Sequence, residues 1–483
     1  MDALTSAKIH VLDSAFSPQS IAVVGASDQP FSFGYHFLRH LLDHKYGGKI
    51  YAVNPQKDTL LGVKCYHSLA SIPGDIEFVI CCVPTGKVLS MLDECAIKNV
   101  KIIHLFTARL GETGRPEAME LEKQILIKAR KLGIRLIGPN CMGIYSPASG
   151  IAFGYDLPSE QGNIGMVFQS GGAACLLIQL GALLGLRFSK AVSYGNALDL
   201  DESDIIDYFV EDSQTSIIAT YFEGIRNGAK FIDTLKRAAT RKPVIAIKGG
   251  RGNSGARAAA SHTAAIAGTQ DLWQTAFHQT GVIEVNDFDE MASLLLLFNT
   301  LPPIYGRRAA IMGGGGGKAV IAADLAEEAG LIVPPLTQDI KNKLKHIVPD
   351  LWDWLGNPVD TSIWGDSGPM LSEVPRLFAE SPDYDFTIIQ SSEDNPMADD
   401  LWMYIVRWGV EITIDAFKKG GKPVIAVLSG GKPGQAGMQN VRWQTIAEQR
   451  SKLINEGVPV FDTMAEAVKS LSKYTGYWES KKR

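Results

Sequence analysis

Short apolar runs alternate along the chain with longer stretches in which apolar residues recur at helical spacing. The first five runs are IAVVGA, KIYAVN, FVICCVP, KIIHLFT and RLIGPN, which begin at residues 21, 49, 78, 101 and 135. Residues 116–132, between the last two runs, place apolar side chains at positions 118, 121, 125, 126 and 129, which predicts a helix. Continuous apolar runs are typical of strands buried on both faces, so the pattern predicts a parallel sheet covered by helices.

The same alternation continues through the chain and predicts an α/β protein of three domains. Residues 1–150 are predicted to form a Rossmann-like domain, residues 151–302 a flavodoxin-like domain, and residues 303–483 a second flavodoxin-like domain after the linker Leu301-Pro302-Pro303. The predicted strands of the last two domains are residues 164–169, 190–194, 217–222, 243–248, 281–285, 308–313, 386–391, 423–428 and 459–462.

The last two domains resemble an internal duplication. Residues 163–186 and 307–331 both read as strand, Gly-rich turn, helix and Gly-Leu, and RKPVIAIKGG (241–250) parallels GKPVIAVLSGG (421–431). Two matches in the same order favour a shared ancestry of the two domains.

Composition narrows the class of protein. The 483 residues carry 47 basic and 52 acidic side chains, a net charge of −5, which argues against a nucleic-acid partner. No run of 18 apolar residues and no signal-peptide pattern is found, which predicts a cytoplasmic protein without a membrane partner. The six cysteines include no Cys-x-x-Cys, so free thiols and no metal site are expected.

The turn after the first strand is the first candidate site. Gly25, Ala26 and Ser27 lie between a strand and a helix, where free N–H groups at a helix N-terminus bind phosphate. The turn lacks the Gly-x-Gly-x-x-Gly pattern, so a plain strand-to-helix connection is the alternative.

The ends of the following strands extend this site. An NAD site needs a carboxylate after the second strand, but Asn54 and the nearby Lys57 stand there, and a cation suits the phosphorylated ribose of coenzyme A or NADP. A solvated surface lysine is the alternative. The neighbouring strand ends that complete the predicted crevice are Val83, Pro84, Thr85, Asn140 and Cys141.

Residues 248–268 are polar, small and without an acidic residue, which predicts a long mobile loop. It carries Lys248, Arg251, Arg257 and His262. Histidine can serve as a covalent nucleophile, and the cations suit phosphate. An ordinary surface histidine is the alternative.

Two features of the same domain point to related chemistry. Ser170, Gly171 and Gly172 precede a helix predicted over residues 173–184, whose N–H groups and dipole favour an anion. Glu223 ends a strand at the carboxyl edge of the sheet, where it could orient an imidazole. A plain α/β turn and a capping glutamate are the respective alternatives.

Taken together, these residues resemble the α subunit of the NDP-forming acyl-CoA synthetases, a group that includes ADP-forming acetyl-CoA synthetase and succinyl-CoA synthetase. The resemblance covers nearly the whole chain. The matching segments are VVGAS (23–27), VNP (53–55), VP (83–84), GPNCMG (138–143), FQSGG (168–172), YGN with Asp199, FEG (222–224), KGG (248–250), SHTAAIAG (261–268) and GNPVD (356–360).

The resemblance implies a reaction and roles for these residues. An acid is activated as an acyl phosphate, with phosphate passing through a phosphohistidine at His262 that Glu223 holds. The helix start at residues 170–172 binds the phosphoryl group. Coenzyme A lies over residues 25–27, 54–57 and 83–85, with its thiol near Asn140 and Cys141.

The resemblance also implies a partner. The chain has no Walker A motif and no further units that could form an ATP-grasp fold, so ADP or ATP with Mg is expected on a separate ATP-grasp β subunit, in an α2β2 assembly. The small carboxylic acid, CoA and phosphate are the other expected ligands.

Two positions depart from the family pattern. Gln56 stands where the family often has Lys, and residues 313–317 are all glycine where it has an Asn-x-Gly-Gly-Pro-Gly type turn. The first departure leaves the phosphate contact of Lys57 open, and the second is compatible with a structural role alone. A non-catalytic CoA-binding regulatory protein and an NADP-dependent oxidoreductase are the competing hypotheses for the whole chain.

Overall fold

The computed structural model describes residues 11–262, 270–362, 372–391, 397–429 and 437–482. The chain divides into two compact units, Met1–Met291 and Ala292–Arg483, and the described residues form three sheets. The predicted α/β class with parallel sheets is confirmed. Because the first unit holds two of the three sheets, the boundaries near residues 150 and 302 stay predictions.

The first sheet has the strand order β3-β4-β2-β1-β5-β6-β7 and is parallel apart from the β3–β4 pair. Its strands are Ser20–Val24 (β1), Lys49–Val53 (β2), Thr59–Leu60 (β3), Val63–Tyr66 (β4), Phe78–Cys81 (β5), Ile102–Leu105 (β6) and Arg135–Ile137 (β7). Its helices are Phe33–Asp43 (α1), Val88–Ile97 (α2) and Pro116–Lys131 (α3).

The boundaries of α3 follow from its residues. Pro116 occupies the first turn, Glu117 lies at the positive end of the helix dipole, and three basic residues close the last turn. Gly133 then takes φ +71, a left-handed value that suits glycine after a helix. The helix buries Ile125 and Ala129 against the first sheet's core.

The second sheet has the order β13-β12-β11-β9-β10-β8, in which only β8 is antiparallel. Its strands are Gly143–Tyr145 (β8), Ile164–Phe168 (β9), Phe188–Ser193 (β10), Ile217–Phe222 (β11), Val244–Lys248 (β12) and Ile283–Glu284 (β13). The five parallel strands β9–β13 lie in the flavodoxin-like order 2-1-3-4-5. The helices are Gly171–Leu183 (α4), Glu202–Glu211 (α5), Gly228–Arg241 (α6), Asn253–His262 (α7), Gln270–Thr280 (α8) and Phe288–Thr300 (α9).

The third sheet, in the second unit, has the order β14-β15-β16-β17 and is parallel. Its strands are Ala309–Gly313 (β14), Phe386–Gln390 (β15), Val424–Val427 (β16) and Val460–Phe461 (β17). Two isolated parallel bridges, Arg308 to Ile332 and Met312 to Val359, lie on the free side of β14, so isolated bridges stand where the 2-1-3-4-5 order has its second strand. The helices are Gly316–Glu328 (α10), Gln338–Ile347 (α11), Val374–Glu380 (α12), Asp399–Lys419 (α13), Val441–Asn455 (α14) and Met464–Lys482 (α15).

The glycine run of the second unit has a structural cause at its first residue. Gly313 takes φ +110, and a Cβ there would lie 1.8 Å from the carbonyl oxygen of Gln390 in the neighbouring strand. Only glycine permits this approach of two backbones at the carboxyl edge of the sheet. No helix in the described ranges combines the length and the apolar composition that a membrane span requires.

Candidate active site

The first crevice lies where the strand order of the first sheet changes direction. From β1 the chain passes to β2 on one side and later to β5 on the other, and ligands of open α/β sheets bind beyond the carboxyl ends of such strands. Gly25 follows β1, Asn54 follows β2, and Val83 lies two residues after β5. The three predicted segments therefore meet at one edge.

In the turn after β1, the backbone lies close to the backbones of the segment after β5 and of α1. Gly25 takes φ +89, and a Cβ there would lie 2.9 Å from the carbonyl oxygen of Cys82. Gly34 in the first turn of α1 is closer still, since its Cβ would lie 2.0 Å from the carbonyl oxygen of Gly25. The two glycines together let the helix approach the strand end.

The expectation of free N–H groups at this turn is wrong for two of the three residues. The N–H groups of Gly25 and Ala26 both donate to the carbonyl oxygen of Val53, at 3.0 and 3.2 Å, and Ala26 is fully buried. The helix itself begins only at Phe33, and in the loop before it the hydroxyl of Ser27 accepts the N–H of Gln29. Ser27, the third residue of the turn, is half-buried.

Asn54 and Lys57 have different environments. The side-chain amide of Asn54 donates to the carbonyl oxygen of Ala26 at 2.8 Å and so ties the second strand end to the first turn. The ammonium of Lys57 lies 2.7 Å from a carboxylate oxygen of Asp28, and this hydrogen bond lowers the pKa of Asp28. The cation that was predicted for a phosphorylated ribose thus has an acidic partner beside the crevice.

The segment after β5 supplies a second helix start. Val83 accepts a hydrogen bond from the hydroxyl of Thr107 at 2.7 Å, and a 3-10 turn begins at Thr85 and leads into α2. No atom lies within 4 Å of the Cβ position of Gly86. The N–H of Lys87 donates to the carbonyl oxygen of Pro84, whereas the N–H groups of Thr85 and Gly86 have no acceptor among the described residues, as a phosphate site requires.

Asn140 and Cys141 form the far wall of the crevice. Asn140 is exposed in a left-handed conformation with φ +57, and its N–H donates to the carbonyl oxygen of Thr107 at 3.2 Å. Cys141 is buried, and burial raises the pKa of its thiol, which keeps it protonated. His104, whose pKa burial lowers to about 4, bonds the carbonyl oxygen of Cys141 from Nε2 at 2.9 Å.

The turn that follows β10 in the second sheet contacts the segment that contains Asn140 and Cys141. The N–H of Asn196 donates to the carbonyl oxygen of Pro139 at 3.0 Å, and the side chain of Asn196 donates to Glu112 at 2.8 Å. Gly195 has φ +57, and a Cβ there would lie 2.2 Å from the carbonyl oxygen of Pro139. Sequence reasoning gave these two residues no role, although the Gly-Asn pair directly after a strand was a usable signal of a tight turn.

Ser170 and Glu223 lie at the switch point of the second sheet, because β9 stands between β10 and β11. Ser170 is the N-cap of α4, and its hydroxyl accepts the N–H of Ala173 at 3.3 Å. The N–H groups of Gly171 and Gly172 have no acceptor in the part of the chain that the structure describes, and Gly172 is exposed. The N-terminus of α4, which was predicted to bind an anion, therefore has two N–H groups available to a ligand.

Gln169 connects the segment after β9 with the segment after β11. Its side chain is buried, and Oε1 accepts the backbone N–H groups of Glu223 and Gly224 at 2.7 and 3.2 Å. A polar amide at the last position of the predicted strand 164–169 was the sequence signal for this role, because a polar side chain beside an apolar strand needs a hydrogen-bond partner when it is buried.

Glu223 itself is half-buried and hydrogen-bonded. Its carboxylate accepts the hydroxyl of Tyr221 at 3.2 Å. The negative charge of Glu223 also acts on Lys248 at the end of β12. Burial lowers the pKa of Lys248, and the charge of Glu223 partly offsets this by raising that pKa. A carboxylate so placed can accept a further hydrogen bond from an imidazole at the sheet edge.

The loop predicted over residues 248–268 is in part a helix. Residues Asn253–His262 form α7, because four of its ten residues are alanine, the strongest helix former. Arg251 before it donates twice to Asn286, at 2.6 Å each, and Arg257 donates to Ser254. His262 ends the helix; its side chain and residues 263–269 lie outside the described residues.

Comparison with known proteins identifies the family. A CoA binding domain model matches residues 19–147, and a succinyl-CoA ligase like flavodoxin domain model matches residues 161–298. Both matches cover the crevices described above.

Relatives and a solved structure extend the match. The acetate–CoA ligase (ADP-forming) II subunit alpha of Pyrococcus furiosus is 37% identical over 378 residues, which are 78% of this chain and 82% of that protein. The acetate–CoA ligase (ADP-forming) of Methanocaldococcus jannaschii is 35% identical over 354 residues, 73% of this chain and 49% of that protein. The dinucleotide forming acetyl-coenzyme A synthetase 1 of Ca. Korarchaeum cryptofilum, solved with phosphate and ADP, matches with a TM-score of 0.82 and 30% identity over 98% of both chains.

The chain belongs to the family of ADP-forming acetate–CoA ligase α subunits, which confirms the resemblance.

Proposed function

We propose that this chain is the CoA-binding and phosphoryl-transferring subunit of an ADP-forming acyl-CoA synthetase. The enzyme interconverts a carboxylic acid, CoA and ATP with acyl-CoA, ADP and phosphate. One observation carries the proposal: the open helix start at Ser170 and the carboxylate of Glu223 share one sheet edge through Gln169. Family membership makes that edge the expected place for phosphoryl transfer.

The chemistry needs an activated acid, because oxide is not a usable leaving group for direct attack of a thiol on a carboxylate. In our proposal a carboxylate oxygen attacks the phosphorus of phosphohistidine; the P–N bond breaks and an acyl phosphate forms. The thiol sulfur of CoA then attacks the carbonyl carbon, its proton is lost, and the C–O bond breaks to release phosphate. The N–H groups of Gly171 and Gly172 face the negative charge of the phosphoryl group.

His262 is the proposed phosphoryl carrier, and Glu223 is the proposed acceptor for its other ring nitrogen. An imidazole whose second nitrogen donates to a carboxylate presents the first nitrogen in a fixed tautomer. His262 is the tenth and last residue of α7, the helix that follows β12 at the same sheet edge, and this position supports the assignment.

The proposed CoA site follows the first crevice. Ser27, Asn54, Lys57 and the turn that starts at Thr85 meet the adenosine and phosphate groups, while Gly25 and Ala26 shape the turn. The thiol end reaches Asn140 and Cys141. The residues fit the ligand at two points. The N–H groups of Thr85 and Gly86 have no acceptor among the described residues, and the ammonium of Lys57 can meet a phosphate when its ion pair with Asp28 opens.

A partner chain completes the proposed enzyme. The 354 matched residues cover 49% of the Methanocaldococcus jannaschii relative, so a large part of that protein lies outside the match. We propose an ATP-grasp β subunit that binds ADP or ATP with Mg²⁺, in an α2β2 assembly.

Co-expression with a neighbouring ATP-grasp subunit tests the function. The purified complex is assayed with CoA, ATP and a panel of acids, and CoA thioester formation is measured. We expect a thioester with at least one acid in the complex and none with the α chain alone. A complex that binds CoA by titration calorimetry but makes no thioester would support the regulatory alternative, and binding of NADP without CoA would support the oxidoreductase.

A further inference from the structure

Arg251 holds the start of the helix that ends at His262. Its guanidinium donates twice to Asn286, to the side-chain oxygen and to the backbone carbonyl oxygen, at 2.6 Å each. Among the described residues, the other guanidinium of this segment stays within α7, where Arg257 donates to Ser254. The side chain of Arg251 therefore joins the start of α7 to the segment that follows β13.

The backbone on both sides of Arg251 is glycine. Residues 249, 250 and 252 carry no side chain, so Arg251 is the one side chain between the end of β12 and the start of α7. A Cβ at Gly249 would lie 2.5 Å from the hydroxyl oxygen of Tyr221, which donates to Glu223 at 3.2 Å. Because glycine leaves a backbone free to take many directions, the segment begins beside Glu223 and the side chain of Arg251 restricts how it continues.

The acceptor of this contact is itself held in place. The backbone N–H and the side-chain amide of Asn286 both donate to one carboxylate oxygen of Glu290, at 2.7 and 3.0 Å. Glu290 is buried in the first turn of α9, and its own N–H donates to the side chain of Asp287 at 2.8 Å. Arg251 therefore bonds a fixed corner between β13 and α9 rather than a free surface side chain.

The distance from this contact to His262 makes the contact geometry matter. The ten helical residues Asn253–His262 extend over about 14 Å. A turn of about 10° at the start of such a helix moves its far end by about 2 Å. Since a misplacement of about 1 Å can lower a rate about 100-fold, the direction of α7 decides whether an imidazole at its end meets Glu223 in a reactive geometry.

We propose that Arg251 is a positioning residue for phosphoryl transfer, which acts by fixing the direction of α7. This assignment rests on the proposed function and adds a residue to it. The cation was expected to suit phosphate, whereas in the structure two of its donors bond the oxygens of Asn286. A positioning residue changes the rate of transfer at saturating phosphate, and a phosphate ligand changes the phosphate concentration that saturates the site.

The test measures how fast the full chain is labelled by acetyl-CoA and radiolabelled phosphate in rapid-quench experiments. Initial labelling rates are recorded over a range of phosphate concentrations for the wild type, Arg251→Ala and Arg251→Lys. Arg241→Ala, which removes an exposed guanidinium that pairs with Glu211, is the matched control. The CoA affinity, by titration calorimetry, and the melting temperature are measured on the same proteins.

We expect Arg251→Ala to lower the maximal labelling rate about 100-fold. The half-saturating phosphate concentration, the CoA affinity and the melting temperature should stay close to those of the wild type. Lysine can still donate to Asn286, so Arg251→Lys should recover part of the rate, and Arg241→Ala should match the wild type. If Arg251→Ala does not fold, Arg251→Gln takes its place, with the same direction expected.

An unchanged maximal rate in Arg251→Ala would overturn the assignment. A rise in its half-saturating phosphate concentration would do so as well, because that result indicates direct contact with phosphate. A loss of rate matched by losses of CoA affinity and melting temperature would show a general structural role instead. The proposed function fails differently: the wild type then takes no label on His262, and that result overturns both.

Discussion

The side-chain oxygen of Gln169 accepts the backbone N–H of Glu223 at 2.7 Å, and it also accepts the N–H of Gly224. Gln169 directly follows β9 at the switch point, and Glu223 directly follows the neighbouring strand β11. Since the next residue after Gln169 is the N-cap of α4, this bond sets the distance between the anion-binding helix start and the carboxylate. Gln169 is therefore a positioning residue for the proposed phosphohistidine chemistry.

Substitution of Gln169 should distinguish this positioning role from a contribution to folding stability alone. Gln169→Met keeps the volume but removes the acceptor of two buried N–H groups, which costs roughly 1–3 kcal/mol for each unsatisfied group. We expect a lower melting temperature and a shorter lifetime of the phosphoenzyme, because Glu223 is no longer held. Gln169→Glu restores an acceptor and should recover part of the lifetime.

Gln179→Met, the same substitution at an exposed position of α4, is the control and should change neither quantity. The positioning role is contradicted if Gln169→Met loses stability while its phosphoenzyme lifetime, measured by loss of label at neutral pH, equals that of the wild type.

The pair of Lys57 and Asp28 should control recognition of the ribose phosphate of CoA. Lys57→Ala is expected to weaken CoA binding about tenfold, the size of a charge-assisted contact, and to leave dephospho-CoA binding unchanged. Asp28→Asn frees the cation and should tighten CoA binding. Calorimetric titration of both ligands measures these effects.

Lys101→Ala, which removes an equal charge at the amino-terminal edge of β6, is the control for long-range electrostatics. Equal weakening of CoA and dephospho-CoA in Lys57→Ala would show that Lys57 does not meet the ribose phosphate.

The contact of Gly34 with Gly25 predicts an intolerance to any side chain at residue 34. A Cβ there would lie 2.0 Å from a backbone oxygen, so α1 must move away from the turn. Overpacking of this kind costs roughly 1–3 kcal/mol, and we expect Gly34→Ala to lower both the free energy of unfolding and CoA affinity. Gly47→Ala, where no atom lies within 4 Å of the Cβ position, should change neither. Equal stability and CoA affinity in both variants would rule out the proposed packing.

His104 predicts a loss of stability on acidification. Burial lowers its pKa to about 4 in the folded chain, whereas an unfolded histidine titrates near 6.5. Below pH 6.5 the unfolded chain binds the extra proton, so stability falls from there until the folded group titrates near pH 4. The loss from this group between pH 6.5 and 5 should be about 2 kcal/mol.

Denaturant unfolding at several pH values measures this loss. His104→Gln can still donate to the carbonyl oxygen of Cys141 but does not titrate, so its stability should fall less steeply than that of the wild type. Parallel curves for the two proteins would refute the assignment.

The sequence pattern predicted most strands of the three sheets but missed β3, β4 and β8. Its other errors lie mainly at the carboxyl ends of the strands. The run 78–84 contains a strand only over Phe78–Cys81, and the run 135–140 ends as a strand at Ile137, because Gly138 and Asn140 take left-handed conformations. Apolar periodicity reports burial, and Cys82 and Val83 are half-buried in a loop at the sheet edge rather than in the ladder.

The contacts that assemble the site could not be predicted from the sequence. The partners of Gln169, the clamp of Asn196 on Pro139 and the packing of Met142 on Gly171 join residues distant in sequence, and no local pattern encodes them. The small, polar composition of residues 248–268 was interpreted as a loop, although the alanines of α7 favour a helix.

The central claim is that His262 carries the phosphoryl group, and a half-reaction on the α chain alone tests it most directly. The chain is incubated with acetyl-CoA and radiolabelled phosphate, and acid-labile, base-stable label on the protein is counted. We expect label on the wild type, reduced and short-lived label on Glu223→Gln, and none on His262→Asn. Label on His262→Asn equal to that on the wild type would contradict the account.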